Sequence, residues 1–176
     1  METVNIYREE LYKQFSGIGA EVGVFRGLNA IKILNASDCY LYCIDCWKAV
    51  GRRKAKHQGR YYRQAKSNLN PYLDRCKIIR KYSMQAVEDF KDESLDFVYI
   101  DANHSFDFVM MDIIKWSKKV RPGGIVSGHD YYKSRREGVV TAVNAYVKEH
   151  NIKELFLTKG GRKRKEMKAR SWFWIK

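Results

Sequence analysis

Four short segments hold the residue types that could do chemistry. The first is Gly19-Ala20-Glu21-Val22-Gly23-Val24-Phe25-Arg26-Gly27. Glycines at 23 and 27 let backbone N–H groups approach a ligand closely where a helix begins. The spacing is ExGxxxG rather than GxGxxG, and such a turn can also serve only to join a strand to a helix. The second is Asp45, roughly twenty residues further on, where an acid can accept both hydroxyls of a ribose. Taken alone, Asp45 could be a plain strand-end carboxylate. With the glycine turn it favours a nucleoside. The third and fourth are Asp101-Ala102-Asn103-His104 and Gly128-His129-Asp130-Tyr131. If these end neighbouring strands, Asp101, His104, His129 and Asp130 meet in one pocket. Such donors could hold Mg²⁺, Mn²⁺ or Zn²⁺. Either histidine could take a proton from a substrate hydroxyl. The same residues could equally cap helices and hold a cofactor without metal.

Short apolar, β-prone runs alternate with helical patterns, which is the signature of parallel βα units. Residues 2–15 read as an amphipathic N-terminal helix within segment 1–16. Strands are expected at 19–24, 40–45, 76–80, 96–101 and 125–128. The helices between and after them fall at 27–34, 61–70, 83–90, 106–120 and 138–150. Arg121-Pro122-Gly123-Gly124 stops the fourth of these helices. Two further strands, 154–157 and 171–175, are joined by a basic loop, 158–170. That connection is too short for a crossover helix, so the pair should be antiparallel. The expected fold class is α/β. It is a seven-stranded, mostly parallel, Rossmann-like sheet with an antiparallel C-terminal hairpin, and helices on both faces. All four chemical segments then lie at the carboxyl ends of strands, where open α/β sheets bind ligands.

The chain of 176 residues fits a single domain, 1–176. Lys and Arg number 34 against 20 Asp and Glu, a net charge of +14, which favours polyanionic partners. The charge could also serve solubility alone. Cys43-Ile44-Asp45-Cys46 resembles half a zinc site, but no second CxxC or CxxH follows at matching spacing. Cys39, Cys43, Cys46 and Cys76 therefore read as free thiols in a reducing cytosol, with a cytoplasmic location. No apolar run reaches membrane-spanning length, and the start lacks the apolar core of a signal peptide.

The order EVGVFRG, CID, YSMQA, DFVYIDANHSF and W-x4-RPGG-x3-GHDY resembles class I S-adenosylmethionine (SAM)-dependent methyltransferases. More narrowly it is similar to the small-molecule O-methyltransferase branch, which includes macrocin-type sugar methyltransferases and cephalosporin-hydroxylase-like proteins. The resemblance covers about residues 17–157, and the IDAxHS and PGG-x3-GHDY segments are its most specific part. It implies SAM as cofactor. Glu21 and the turn at Gly23 and Gly27 would hold the methionine part, and Asp45 the ribose. Cys46 and Trp47 would lie beside the adenosine, with Ser83 and Met84 at the adenine. Asp101 and His104 would face the sulfonium, and His129 would be the other catalytic imidazole. Metal-dependent relatives place acids after strands four and five. Asp101 and Asp130 match those places, whereas His129 stands where some relatives have a second acid. The implied metal set, for Mg²⁺ or another divalent ion, is Asp101, Asp130 and His129. The Asn/Asp-Pro-Pro-aromatic motif of amino-methylating DNA enzymes is absent.

Strand direction puts three basic turns on the same edge: Lys48, Arg52, Arg53, Lys54, Lys56 and Arg60; Lys133, Arg135 and Arg136; Lys159, Arg162, Lys163, Arg164 and Lys165. This rim favours a phosphorylated or otherwise anionic small-molecule acceptor, or nucleic acid. Tyr61, Tyr62, Tyr131 and Tyr132 could stack on a base there, or could be packing residues. Three readings follow. The first is an O-directed methyltransferase acting on a small or anionic acceptor. The second is a nucleic-acid methyltransferase. The third is a SAM- or nucleotide-binding, or nucleic-acid-binding, protein without transferase activity. The N-terminus leaves little room for a substrate cap, so residues 46–60 or a second copy of the chain would complete the pocket.

Overall fold

The computed structural model describes residues 2–48, 55–132, 138–160 and 169–176. Its strands are β1 (Glu2–Thr3), β2 (Ile18–Val22), β3 (Tyr40–Ile44), β4 (Cys76–Ile79), β5 (Leu95–Ile100), β6 (Val120–Tyr131), β7 (Phe156–Leu157) and β8 (Arg170–Ile175). Its helices are α1 (Arg8–Tyr12), α2 (Leu28–Ala36), α3 (Ala55–Leu69), α4 (Ser83–Ala86), α5 (Phe106–Lys119) and α6 (Gly138–Glu149). The strands form one sheet in the order β1-β7-β8-β6-β5-β2-β3-β4. Strands β2 to β6 run parallel, and β8 is antiparallel to both β6 and β7. This is the expected Rossmann-like arrangement, with one short strand added at its edge.

Alternation along the strands sorts side chains onto the two faces. Ala20, Val22, Val98, Ile100 and Val126 face α4, α5 and α6, packing with Val109, Ile113 and Trp116. Leu41, Cys43, Phe97 and Tyr99 face α1, α2 and α3, packing with Leu11, Tyr12, Ile33 and Leu69. Cys39, Cys43 and Cys76 are free, buried thiols, and Cys46 is half-buried. From β2 the chain builds outward through β3 and β4, and from β5 it builds the other way through β6. The crevice between the ends of β2 and β5 is thus the switch point where such sheets bind ligands.

The N-terminal helix is shorter than its sequence pattern. Residues 2–3 pair with β7 instead, and Val4 N–H donates to the Leu157 carbonyl at 3.0 Å. Val4 and Ile6 pack on the core beside this edge, so extended backbone suits them better than a helix. Arg121–Gly124 does not simply end a helix. The register jumps from Leu95↔Val120 to Phe97↔Ile125, so these residues form a bulge inside β6. Gly123 has φ +76°, and a Cβ on Gly124 would lie 2.5 Å from the Asp96 carbonyl oxygen. The helix expected from Tyr61 already begins at Ala55, which places Arg60 on α3 rather than in a loop.

Candidate functional site at the carboxyl edge

Backbone hydrogen bonds lace three strand ends together. Gly23 N–H donates to the Ile44 carbonyl at 2.8 Å, and Asp101 N–H donates to the Val22 carbonyl at 2.8 Å. Gly23 has φ +101°, and a Cβ there would fall 2.1 Å from the Asp101 carbonyl oxygen. Only glycine fits at both counts. Gly27, at φ +78°, caps α2 at its N-terminus.

Asp45 sits just beyond β3 and takes two backbone donors. Phe25 N–H reaches Oδ2 at 2.8 Å, and Trp47 N–H reaches Oδ1 at 2.9 Å. Each oxygen keeps a lone pair for a further donor. Glu21 points from β2 into the layer shared with Tyr12 and Tyr99 and is 0% exposed. Its Oε1 accepts from Asn29 Nδ2 at 2.8 Å, while Oε2 is buried with no hydrogen-bond partner. Burial, reinforced by the charges of Asp101 and Asp45, pushes this carboxyl up to about 8. A buried acid with one oxygen unsatisfied is a costly arrangement that an incoming donor would relieve.

On the other side of the switch point, imidazoles and carboxylates alternate. His104 Nε2 lies 3.3 Å from Asp101 Oδ1, and His104 Nδ1 lies 3.1 Å from Asp130 Oδ2. His129 Nδ1 lies 3.1 Å from Asp130 Oδ1 and 3.9 Å from Asp101 Oδ2. Burial acts to raise the Asp130 carboxyl. The His129 hydrogen bond and the charges of His129, His104 and Arg8 outweigh it and hold the group below its ordinary value. Asp101, His104 and Asp130 offer one donor atom each within 4.8 Å of one another. His129 stands apart from that set, because its Nε2 accepts a hydrogen bond from Arg8 at 2.9 Å. An arginine can only donate, so the ring proton belongs on Nδ1 and faces the carboxylates.

The remaining expected residues divide. Trp47 is 2% exposed; its indole donates to the Phe25 carbonyl at 2.7 Å and packs on Tyr62. It therefore supports the turn from within. Cys46 is half-buried, with its thiol 3.9 Å from the Lys48 carbonyl. The Ser83 hydroxyl donates to Asp112 and accepts from Trp116 Nε1, so it ties α4 to α5. Met84 is half-buried beside it. Tyr61 packs on Phe25, and Tyr131 is buried with its hydroxyl on Asn144. Tyr132 is exposed. Of the basic rim, Arg52, Arg53, Lys54, Lys133, Arg135, Arg136, Arg162, Lys163, Arg164 and Lys165 lie outside the described residues. Lys48 sits over the Tyr82 ring at 5.5 Å and Lys159 over Tyr7 at 5.2 Å. Arg8, Tyr12 and Asn29 also join the site, and their sequence positions gave no sign of it.

A family model described as a methyltransferase domain matches residues 20–131, well over half of the chain. The chain belongs to this methyltransferase-domain family. The matched segment runs from Ala20, beside Glu21, to Tyr131, just after Asp130, so it contains both halves of the site. Protein y4gI of Sinorhizobium fredii is 26% identical over 99 residues, which is 54% of this methyltransferase-domain chain. The chain spans about a tenth of that relative's length, 10%. Among solved structures, an O-methyltransferase from Bacillus cereus in complex with S-adenosylhomocysteine (SAH) is 17% identical with a TM-score of 0.69, covering 96% of this chain and 78% of that one. The O-methyltransferase TomG from Streptomyces achromogenes, involved in tomaymycin synthesis and in complex with SAM, is 15% identical with a TM-score of 0.68, covering 95% and 78%. A candidate rRNA methylase from Clostridium thermocellum is 11% identical with a TM-score of 0.66, covering 94% and 92%. At these identities the likeness is one of fold, and the fold is shared across acceptor classes. No described helix is long and apolar enough to cross a membrane.

Proposed function

We propose that the protein is a SAM-dependent methyltransferase that methylates a hydroxyl of a small anionic acceptor. One observation carries the reading: at a single switch point, the unpartnered Glu21 Oε2 and the backbone-held Asp45 face the Asp101–His104–Asp130 cluster. Glu21 Oε2 fits an ammonium donor, and Asp45 fits a ribose diol. Bound SAM supplies an activated methyl group. The protein must then align the acceptor and remove its proton. His104 suits that task, because Asp101 and Asp130 flank both its nitrogens and stabilise the imidazolium that results. Basic α3, which carries Arg60, Arg63 and Lys66, supports an anionic acceptor.

A second reading rests on the same cluster. A divalent cation would be held by Asp101, His104 and Asp130, where it would lower the pKa of an acceptor hydroxyl. His104 is then a ligand rather than the base. The test is methyl transfer from labelled SAM to phosphorylated sugars, their unphosphorylated parents and RNA, with and without EDTA. We expect label on the phosphorylated sugars whether or not EDTA is present. Loss of transfer in EDTA, restored by Mg²⁺, would select the metal reading. Salt-sensitive labelling of RNA alone would select a nucleic-acid acceptor. No transfer to any acceptor, with SAH failing to bind, would overturn the assignment.

A further inference from the structure

Helix α1 lies outside the matched segment 20–131, yet it reaches the site. Arg8 and Tyr12 are four residues apart and share one face of that helix. The Tyr12 ring meets Tyr99 edge-on at 5.4 Å. Its hydroxyl donates to Asn29 Oδ1 at 2.6 Å, and Asn29 Nδ2 in turn donates to Glu21 Oε1 at 2.8 Å. Glu21 and Tyr99 are register partners across β2 and β5, so both belong to the face that α1 covers. Arg8 therefore stands over the row that contains Glu21, at its carboxyl edge, with a guanidinium nitrogen 2.9 Å from His129 Nε2.

This guanidinium has unusual company. It is half-buried, and its neighbours are an imidazole and two tyrosines. The acids next to it in sequence are engaged elsewhere. Glu9 lies 3.8 Å from Lys32, and Glu10 Oε2 accepts from Tyr7 N–H at 2.6 Å. Among the described residues no carboxylate lies within 4.0 Å of Arg8. One row thus holds a buried carboxylate oxygen that lacks a donor and a half-buried guanidinium that lacks an acid. Charges out of water are retained when they find a partner of opposite sign. A ligand carrying both an ammonium and a carboxylate on neighbouring atoms would satisfy both groups together.

We propose that Arg8 and Glu21 form a receptor for an amino-acid zwitterion, with Arg8 taking the carboxylate of the cofactor's methionyl end through its planar fork. This rests on the reading of the pocket as a SAM site. It assigns a binding role to a segment outside the methyltransferase match. It also separates two parts of the ligand, since the nucleoside half is held without Arg8.

The test is calorimetric titration of wild type, Arg8→Gln and Arg8→Lys with SAH and with 5′-methylthioadenosine, which lacks the amino-acid end. Arg8→Gln should weaken SAH about 10- to 100-fold, the scale of a charge-assisted pair, and leave methylthioadenosine within about twofold. Arg8→Lys, which keeps the charge without the fork, should fall between, and it guards against a folding defect in the first variant. Equal losses for both ligands would overturn the proposal, because Arg8 would then act only through the fold. Unchanged SAH affinity would overturn it too. A wild type that binds neither ligand would instead sink the cofactor reading on which the proposal stands.

Discussion

The ends of β2 and β3 hold their acids through the backbone, whereas the ends of β5 and β6 hold theirs through one another. Asp45 takes N–H groups from Phe25 and Trp47, and Glu21 is sealed at 0% exposure behind Asn29 and Tyr12. Their geometry is therefore set once the sheet folds. On the other side, Asp101, Asp130, His104 and His129 touch mainly side chain to side chain, and His104 is exposed. That cluster can exchange partners, with a proton or with a bound group, at little cost to the fold. A preformed half suits a constant ligand, and an adjustable half suits the reacting end.

The largest effect should come from breaking the preformed half at its centre. Gly23→Ala adds a Cβ 2.1 Å from the Asp101 carbonyl oxygen at φ +101°. Strain and overpacking together should cost about 3 kcal/mol or more, as read by denaturant unfolding. Next comes the adjustable half. His104→Gln should lower the methyl-transfer rate about 10²- to 10⁴-fold, the usual contribution of a general base, with thermal stability nearly unchanged. An unfolded His104→Gln protein would contradict the contrast between the halves.

A pH profile sharpens it further. Glu21 titrates at about 8 in the folded chain against 4.5 for an ordinary glutamate. Between those values the native state keeps a proton that the unfolded chain has released. Stability of the free protein should therefore fall as pH rises through that window. Melting curves across it should show the decline in wild type and a flatter profile in Glu21→Gln. The smallest effect concerns Ser83. Its hydroxyl joins Asp112 and Trp116. Burial lifts Asp112 to about 6 and the Ser83 hydrogen bond opposes that rise. Ser83→Ala should cost about 1–2 kcal/mol in unfolding free energy while leaving SAH affinity unchanged. Lost SAH affinity would return Ser83 to the adenine pocket.

Much of this was legible because it is local. Alternating apolar runs gave the strands, and the glycines at 23 and 27 marked a turn that needs positive φ. Acids at strand ends followed from strand direction. What escaped is what side chains do across the sequence. Arg8 meets His129 across 121 positions, and Ser83 meets Asp112 across 29. No periodicity encodes such pairs. Trp47 was expected beside the adenosine because it follows Asp45, but its φ of +43° turns it into the core. The edge strand β1 is only two residues long, below the length at which alternation can be recognised.

The central claim is that the cofactor is held by the β2–β3 side and the chemistry is done by the β5–β6 side. The most direct measurement is SAH affinity by calorimetry for Asp45→Ala and His104→Gln, side by side with wild type. The account predicts a loss of about 1.5–3 kcal/mol for Asp45→Ala, the scale of charge-assisted hydrogen bonds, and nearly unchanged affinity for His104→Gln. Unchanged affinity in a folded Asp45→Ala protein, or an equal loss in both, would contradict it.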